Sequence, residues 1–92
     1  MWVTLQVTLG AAATQVSTAT TQCRHVMIQN NAAAVCRVGD ANVSATRGIS
    51  LAAAGAAGSI FNTGPSVAYE SQLSDFFLFG TSGQIIDVFY CT

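Results

Sequence analysis

His25 is the only histidine of the chain and its best candidate for acid-base chemistry, because an imidazole exchanges protons near neutral pH. A hydrolytic site would pair it with a nucleophile and an orienting carboxylate. The chain has no Gly-x-Ser-x-Gly nucleophile elbow, and its serines lie in loop-like stretches of small polar residues. We therefore interpret His25 as a histidine on the polar face of a strand.

The carboxylates are the second candidate for chemistry, since a pair of them performs glycoside hydrolysis. There are four, Asp40, Glu70, Asp75 and Asp87. Their spacing brings no two together, and the Gly39-Asp40 pair already indicates a turn. With no catalytic constellation in the sequence, we predict that the protein is not an enzyme and has no catalytic residues.

Three cysteines complete the chemically active side chains: Cys23, Cys36 and Cys91. They form no CxxC pair and no Cys/His spacing typical of zinc sites. Buried free thiols of a protein made in a reducing cytoplasm are the favoured interpretation, with a metal site or a disulfide framework as the alternatives. The sequence thus predicts no metal ligand and no cofactor.

The chain contains unusually few charged side chains. Its 92 residues contain three arginines, four acids and no lysine. So small a domain exposes much of its surface, and a surface this poor in charge favours a permanent protein partner. Three scattered arginines do not follow a phosphate backbone, and no polybasic or long apolar segment is present. We expect neither nucleic acid nor membrane as a partner.

Alternation with a period of two residues dominates the chain and predicts strands. Val3, Leu5, Val7 and Leu9 share one face, and Val26 and Ile28 oppose His25 and Met27. Near the end, Ile86, Val88 and Tyr90 oppose Ile85, Asp87 and Phe89. With turn signals such as Asn30-Asn31 between the strands, the pattern predicts an all-β fold. We expect residues 1–92 to form a single small antiparallel β-sandwich or jelly roll of about seven or eight short strands.

The alanine-rich run from Ala52 to Gly58 is the one segment with helical composition. Alanine is the best helix former, but seven residues interrupted by glycine are too few to nucleate a stable helix. We predict a glycine-rich connection there.

The segment from Val38 to Leu51, Val-Gly-Asp-Ala-Asn-Val-Ser-Ala-Thr-Arg-Gly-Ile-Ser-Leu, resembles a pattern in small virion proteins of tailed bacteriophages. In that family a Val/Thr-rich first strand precedes the segment, and a strand after a glycine turn closes the chain; here Trp2–Leu9, Val26–Gln29 and Gly83–Tyr90 match in order. Two departures are the alanines at 52–54, where the family has Pro and Gly, and an insertion at 63–74. The resemblance implies a β-sandwich fold and a structural role in the virion.

We therefore expect a capsid decoration (cement) protein that bridges major capsid subunits, made in the host bacterial cytoplasm and found in the virion. The expected partners are the major capsid protein or other virion proteins, with homo-oligomers on the particle. Aromatic and arginine side chains dominate the binding energy of interfaces, so we place the partner interface at Trp2, Arg47, Tyr69 and Phe76. Core packing is the competing explanation for such aromatics, and it is favoured for Phe77 and Phe79. The alternative function is a tail, neck or fibre component that binds a receptor or glycan.

Overall fold

The structure, a computed structural model, describes residues 1–64 and 71–92. In these residues the protein is all-β, as predicted, with one 3-10 helix at Leu73–Asp75. Ten strands are found there rather than seven or eight, because three strands have only two residues, too few to show a period in sequence. The strands are β1 (Trp2–Thr8), β2 (Thr14–Gln15), β3 (Gln22–Cys23), β4 (His25–Asn30), β5 (Cys36–Gly39), β6 (Ile49–Leu51), β7 (Ile60–Asn62), β8 (Ser71–Gln72), β9 (Phe77–Phe79) and β10 (Ile85–Cys91).

Sheet I consists of four antiparallel strands in the order β1-β10-β4-β7. Its longest ladder joins β1 to β10, from Trp2 opposite Cys91 to Thr8 opposite Ile85. On its other side, β10 pairs with β4, so that Cys91 also lies opposite His25. The strand nearest the end of the sequence is therefore an inner strand, held between two strands from the first third of the chain.

Sheet II has the order β2-β9-β5-β6, and β3 and β8 form a separate two-stranded ladder. All of these pairs are antiparallel. β5 and β6 form a hairpin that places Cys36 opposite Leu51 and Val38 opposite Ile49. The segment from Val38 to Leu51 thus lies within this hairpin and its loop.

One hydrophobic core draws side chains from both sheets. Sheet I contributes Val26, Ile28, Ile86 and Val88, which are buried, while their strand neighbours His25, Met27 and Asp87 are only half-buried. Burial of each such aliphatic side chain contributes about 1.5–3 kcal/mol to folding. The predicted faces of β4 and β10 are therefore confirmed. The side chains that alternate with the core residues form the outer face of sheet I.

Asn30 differs from its expected role in a turn, because it is the last residue of β4 and its side chain is completely buried. Its amide Nδ2 donates to the backbone carbonyls of Ala34, at 2.7 Å, and Ala52, at 3.0 Å. Its Oδ1 accepts from the backbone N–H of Ala32 at 3.1 Å. Tertiary contacts with two loops thus outweigh the turn preference of asparagine.

The alanine-rich segment is a connection of turns rather than a helix, as predicted. The backbone N–H of Ala52 donates to Gly58 at 3.1 Å, and that of Ala56 donates to Ala53 at 3.1 Å. Gly55 and Gly58 have φ angles of +83° and +86°, which residues with a side chain rarely adopt. Within residues 1–64 and 71–92, no helix has the length and hydrophobicity needed to cross a membrane.

Candidate interaction surface

The outer face of sheet I, which lies opposite the core, is the most distinctive surface of the described residues. Residues paired across neighbouring strands point to the same side of a sheet, so the strand register arranges this face in rows. The rows are Trp2, Cys91 and His25; then Thr4, Phe89, Met27 and Asn62; then Gln6, Asp87, Gln29 and Ile60. Side chains from four strands far apart in sequence thus meet on one surface.

Trp2 is the centre of an aromatic group on the outer face. Its indole stacks on Phe89, with ring centroids 4.6 Å apart and planes inclined by 16°. It also meets the His25 ring edge-on, at 5.3 Å and 61°. Aromatic pairs of this kind contribute about 0.5–1.5 kcal/mol beyond their buried area. The stacking therefore holds Trp2 in place while 47% of its surface stays accessible.

His25 has an amide as its hydrogen-bond partner. Its Nε2 lies 2.6 Å from Oδ1 of Asn62, and the same Oδ1 accepts from the backbone N–H of Gly64 at 2.8 Å. Because Oδ1 is an acceptor, Nε2 is the donor of this bond. An amide orients the ring but does not provide the charge that a carboxylate gives a catalytic histidine.

A shallow groove of about 200 Å³ crosses the outer face beside the aromatic group. Its lining is mostly apolar, with one carboxylate at the side; the residues are Thr4, Met27, Gln29, Ile60, Asp87, Val88 and Phe89. The carboxylate of Asp87 accepts a hydrogen bond through Oδ1 from Nε2 of Gln6, its cross-strand neighbour, at 2.9 Å. The groove thus joins apolar walls to one negative charge.

Large apolar side chains are exposed on this same face. Ile60 is 54% exposed and Phe89 is 39% exposed, and both adjoin the groove. Single exposed apolar residues are common on any protein, but an adjoining group with little charge is typical of a surface that binds another molecule. Such a face is suited to binding another molecule.

Arg47, predicted to lie in the interface, is on the other sheet. It is exposed in the loop of the β5-β6 hairpin, where the N–H of Ser44 donates to the carbonyl of Arg47 at 2.9 Å. The next residue, Gly48, has a φ angle of +124°, and its carbonyl accepts from Arg37 Nη1 at 2.8 Å. The structure therefore does not bring Arg47 to the same face as Trp2.

The remaining predicted interface residues are aromatic. Phe76 is half-buried, packs against the core and lies 6.0 Å from the Phe61 ring. Tyr69 lies outside the described residues. Of β9, only Leu78 enters the core, and Phe77 and Phe79 are half-buried on the opposite side of the strand, contrary to their expected core packing. Because side chains alternate along β9, Leu78 packs in the core and its two larger neighbours do not.

All three cysteines are free thiols. Cys23 and Cys36 are buried, as predicted, whereas Cys91 is half-buried because it lies on the outer face of β10. Burial raises the pKa of the Cys36 thiol to about 11. The pKa of Cys23 is raised as well, first by burial and second by the nearby Cys91. Protonated buried thiols of this kind are poor nucleophiles.

Carboxylates are dispersed over the described part of the chain. No group of three His, Cys, Asp or Glu side chains there is arranged to hold a metal ion. Asp40 closes its turn by accepting, through Oδ1, a hydrogen bond from the N–H of Asn42 at 2.9 Å. Asp75 ends the 3-10 helix, and Glu70 lies outside the described residues.

Comparison with protein-family models, with curated proteins and with solved structures gives no match for this chain.

The sequence interpretation missed Met27, Ile60 and Asp87 as members of this surface. A signal was present for β10, because Ile85, Asp87 and Phe89 alternate with the core residues. A strand with apolar side chains on both faces is typical of burial on both sides, by the fold and by a partner. Ile60 gave no such signal, since β7 has three residues.

Proposed function

We propose that this protein is a structural subunit that binds other proteins, and that it serves as a capsid decoration protein of a phage virion. The observation that carries the proposal is the outer face of sheet I, where Trp2 stacks on Phe89 and where Phe89 and Ile60 are exposed beside the carboxylate of Asp87. Depletion of charge and enrichment in aromatic residues distinguish the buried centre of an interface from ordinary surface. The virion setting comes from the phage-like sequence pattern of the β5-β6 hairpin.

The finer architecture we propose is a β-sandwich, in which sheets I and II pack face to face. Support comes from the shared core, to which Ile28 and Val88 of sheet I and Val38 and Leu78 of sheet II contribute. A sandwich has two outer faces, so such a subunit can touch the capsid with one and a neighbouring copy with the other. This arrangement suits a protein that bridges major capsid subunits and forms homo-oligomers on the particle.

The mechanism we propose is burial of apolar and neutral polar surface across a joint between capsid subunits. At about 25 cal/mol per Å² of apolar area, even a modest contact repeated over a lattice opposes its dissociation. A short neutral side chain such as that of Thr4 loses less conformational entropy on binding than a long lysine would. The bound protein then stabilises the particle by mass action.

Quantitative mass spectrometry of purified virions tests this proposal, because a decoration protein is present in many copies, in fixed ratio to the major capsid protein. Deletion of the gene should then yield particles that lose their DNA at lower temperature while still adsorbing to cells. Absence of the protein from virions, or deletion particles with unchanged heat resistance, would reject the decoration role.

The second candidate function is a tail, neck or fibre component that binds a receptor or glycan. One observation favours it: the accessible Trp2 ring lies beside His25, which is hydrogen-bonded to Asn62, and sugars bind to an aromatic surface flanked by such polar groups. Deletion particles that keep their heat resistance but no longer adsorb to cells would support this candidate. A few copies per particle would support it as well.

A further inference from the structure

We propose that the groove on sheet I binds an arginine side chain of a partner protein, with the guanidinium on Asp87 and the aliphatic stem against Met27, Ile60 and Phe89. This inference rests on the proposed function in one respect, that the partner is a protein.

The shape of the groove requires a side chain that is apolar along its length. Met27 and Ile60 come from β4 and β7, and Phe89 from β10, and together they form the apolar wall of the groove of about 200 Å³. Only the polar groups of Thr4, Gln29 and Asp87 interrupt this lining. An inorganic cation would leave the wall in contact with water, so a small ion does not fit the site.

The charge of the groove requires a cation at one end. Asp87 is half-buried, and its hydrogen-bond partner among the described residues is the neutral amide of Gln6. Its cross-strand neighbour on the other side, Gln29, is an amide as well. A wholly aliphatic side chain in the groove would remove water from the carboxylate without replacing its charge, which is unfavourable.

Arginine fits both requirements better than lysine does. Long cationic side chains place their methylene groups on apolar surface and keep the charged head near polar groups. The planar guanidinium also makes paired hydrogen bonds to a carboxylate, here that of Asp87. A lysine ammonium is a point charge with a strongly held water shell, so it gains less in this groove.

The test is a titration of the ¹⁵N-labelled protein, followed by NMR, with the capped tripeptide acetyl-Val-Arg-Val-amide. The matched ligand carries citrulline in place of arginine, which keeps the shape and removes the charge. We expect saturable shifts at Met27, Ile60 and Phe89, with the arginine peptide about three- to fivefold tighter, the size of a partly exposed ion pair. In Asp87→Asn this preference should vanish, because the amide still accepts from Gln6 but carries no charge.

Asp40→Asn is the matched control, since it removes one negative charge from a turn far in sequence from the groove and should leave the preference unchanged. Ile60→Ser, at an exposed position, should weaken both peptides equally, because it removes part of the apolar wall. Circular dichroism of each variant verifies that the sheets are intact.

Equal affinities of the two peptides, shifts outside the groove, or the same result for Asp87→Asn and Asp40→Asn would overturn the proposal. Shifts that grow with protein concentration in the absence of peptide, and disappear in Arg47→Gln, would support the arginine site and identify a second copy of the chain as the partner. These outcomes are separate from the virion measurements. If the protein is abundant in virions but does not bind the arginine peptide, the arginine-binding proposal is refuted and the decoration role is not.

Discussion

Nε2 of Gln84 donates a hydrogen bond to Oδ1 of Asn30 at 3.3 Å, and the two side chains are 6% and 0% exposed. The same Nε2 donates to the carbonyl of Ala34 at 2.7 Å, and Oε1 of Gln84 accepts from the N–H of Thr81 at 2.9 Å. Two buried amides thus join the end of β4 to the start of β10 and satisfy backbone groups in the loops between strands. Buried polar groups are tolerated only when they are hydrogen-bonded in this way.

Asn30→Asp should lower the free energy of unfolding by about 2–4 kcal/mol at pH 7, because a carboxylate would face the carbonyls of Ala34 and Ala52, to which the amide now donates. Urea unfolding followed by far-UV circular dichroism measures the change. The matched control is Asn31→Asp, which makes the same substitution at the exposed neighbouring position and should change stability by less than about 0.5 kcal/mol. Equal losses in the two variants would contradict the structural role of Asn30.

Gly48→Ala should destabilise the protein by more than a second glycine substitution, Gly55→Ala. Gly48 has a φ angle of +124°, and a methyl group there would lie 2.8 Å from Cγ2 of Val43 and 3.0 Å from the carbonyl oxygen of Val38. Gly55 has a φ angle of +83° and open space around it, so its substitution has only the backbone penalty of about 1–2 kcal/mol. Thermal melts of both variants test the order, and a lower midpoint for Gly55→Ala would show that the hairpin loop does not pack as described.

The free energy of unfolding should decrease at alkaline pH because the Cys36 thiol is buried. The thiol ionises at its ordinary pKa of 9.0 in the unfolded chain but at a pKa of about 11 in the buried site. As the pH rises, the unfolded chain therefore loses this proton before the folded protein does. The stabilising contribution of the protonated thiol is complete below about pH 9 and is lost as the pH rises to about 11. The loss approaches about 1.4 kcal/mol per pH unit within that window.

Cys36→Ala isolates this effect, since all other titrating groups are shared with the native protein. The stability difference between the two proteins, measured by urea unfolding at pH 7, 9 and 10.5, should shrink above pH 9. A constant difference across this range would mean that the thiol is not shielded from water.

Phe76→Ala should cost about 2–4 kcal/mol of stability, because the ring packs against the core and against Phe61. Trp2→Ala should cost about 1–2 kcal/mol, from its stacking on Phe89 and its partly buried surface, and under the proposed decoration role it should abolish much of the binding to the capsid. Chemical denaturation and the copy number on particles separate the two effects. A stable Phe76→Ala variant that is lost from particles would return Phe76 to the interface.

The strand faces followed from the sequence because a period of two residues fixes which side chains share a face. Ile86 and Val88 are buried, and Asp87 is not, as their alternation indicated. The pattern does not specify partners, however, so nothing local placed β10 between β1 and β4. The two-residue strands β3 and β8 were missed for a related reason: they exist through their mutual pairing rather than through any pattern of their own.

The candidate site was harder to predict, since it is a product of strand pairing. Trp2 was identified by its residue type alone, but Met27, Ile60 and Phe89 become neighbours only once the register of sheet I is known. For Asn30 the residue type predicted a turn, whereas the side chain is buried in the structure. Local preference is overridden where distant backbone groups provide the hydrogen-bond partners.

The position of β10 inside sheet I has a consequence for how the protein emerges from the ribosome. β1 and β4 are translated early, yet neither can complete its ladder until residues 85–91 have left the exit tunnel. Until then the nascent chain presents unpaired strand edges with apolar side chains, the condition in which β proteins aggregate. Pairing of residue 2 with residue 91 also requires closure of nearly the whole chain, which makes folding slow. Slow closure of sheet I therefore prolongs the interval in which the nascent chain is prone to aggregation.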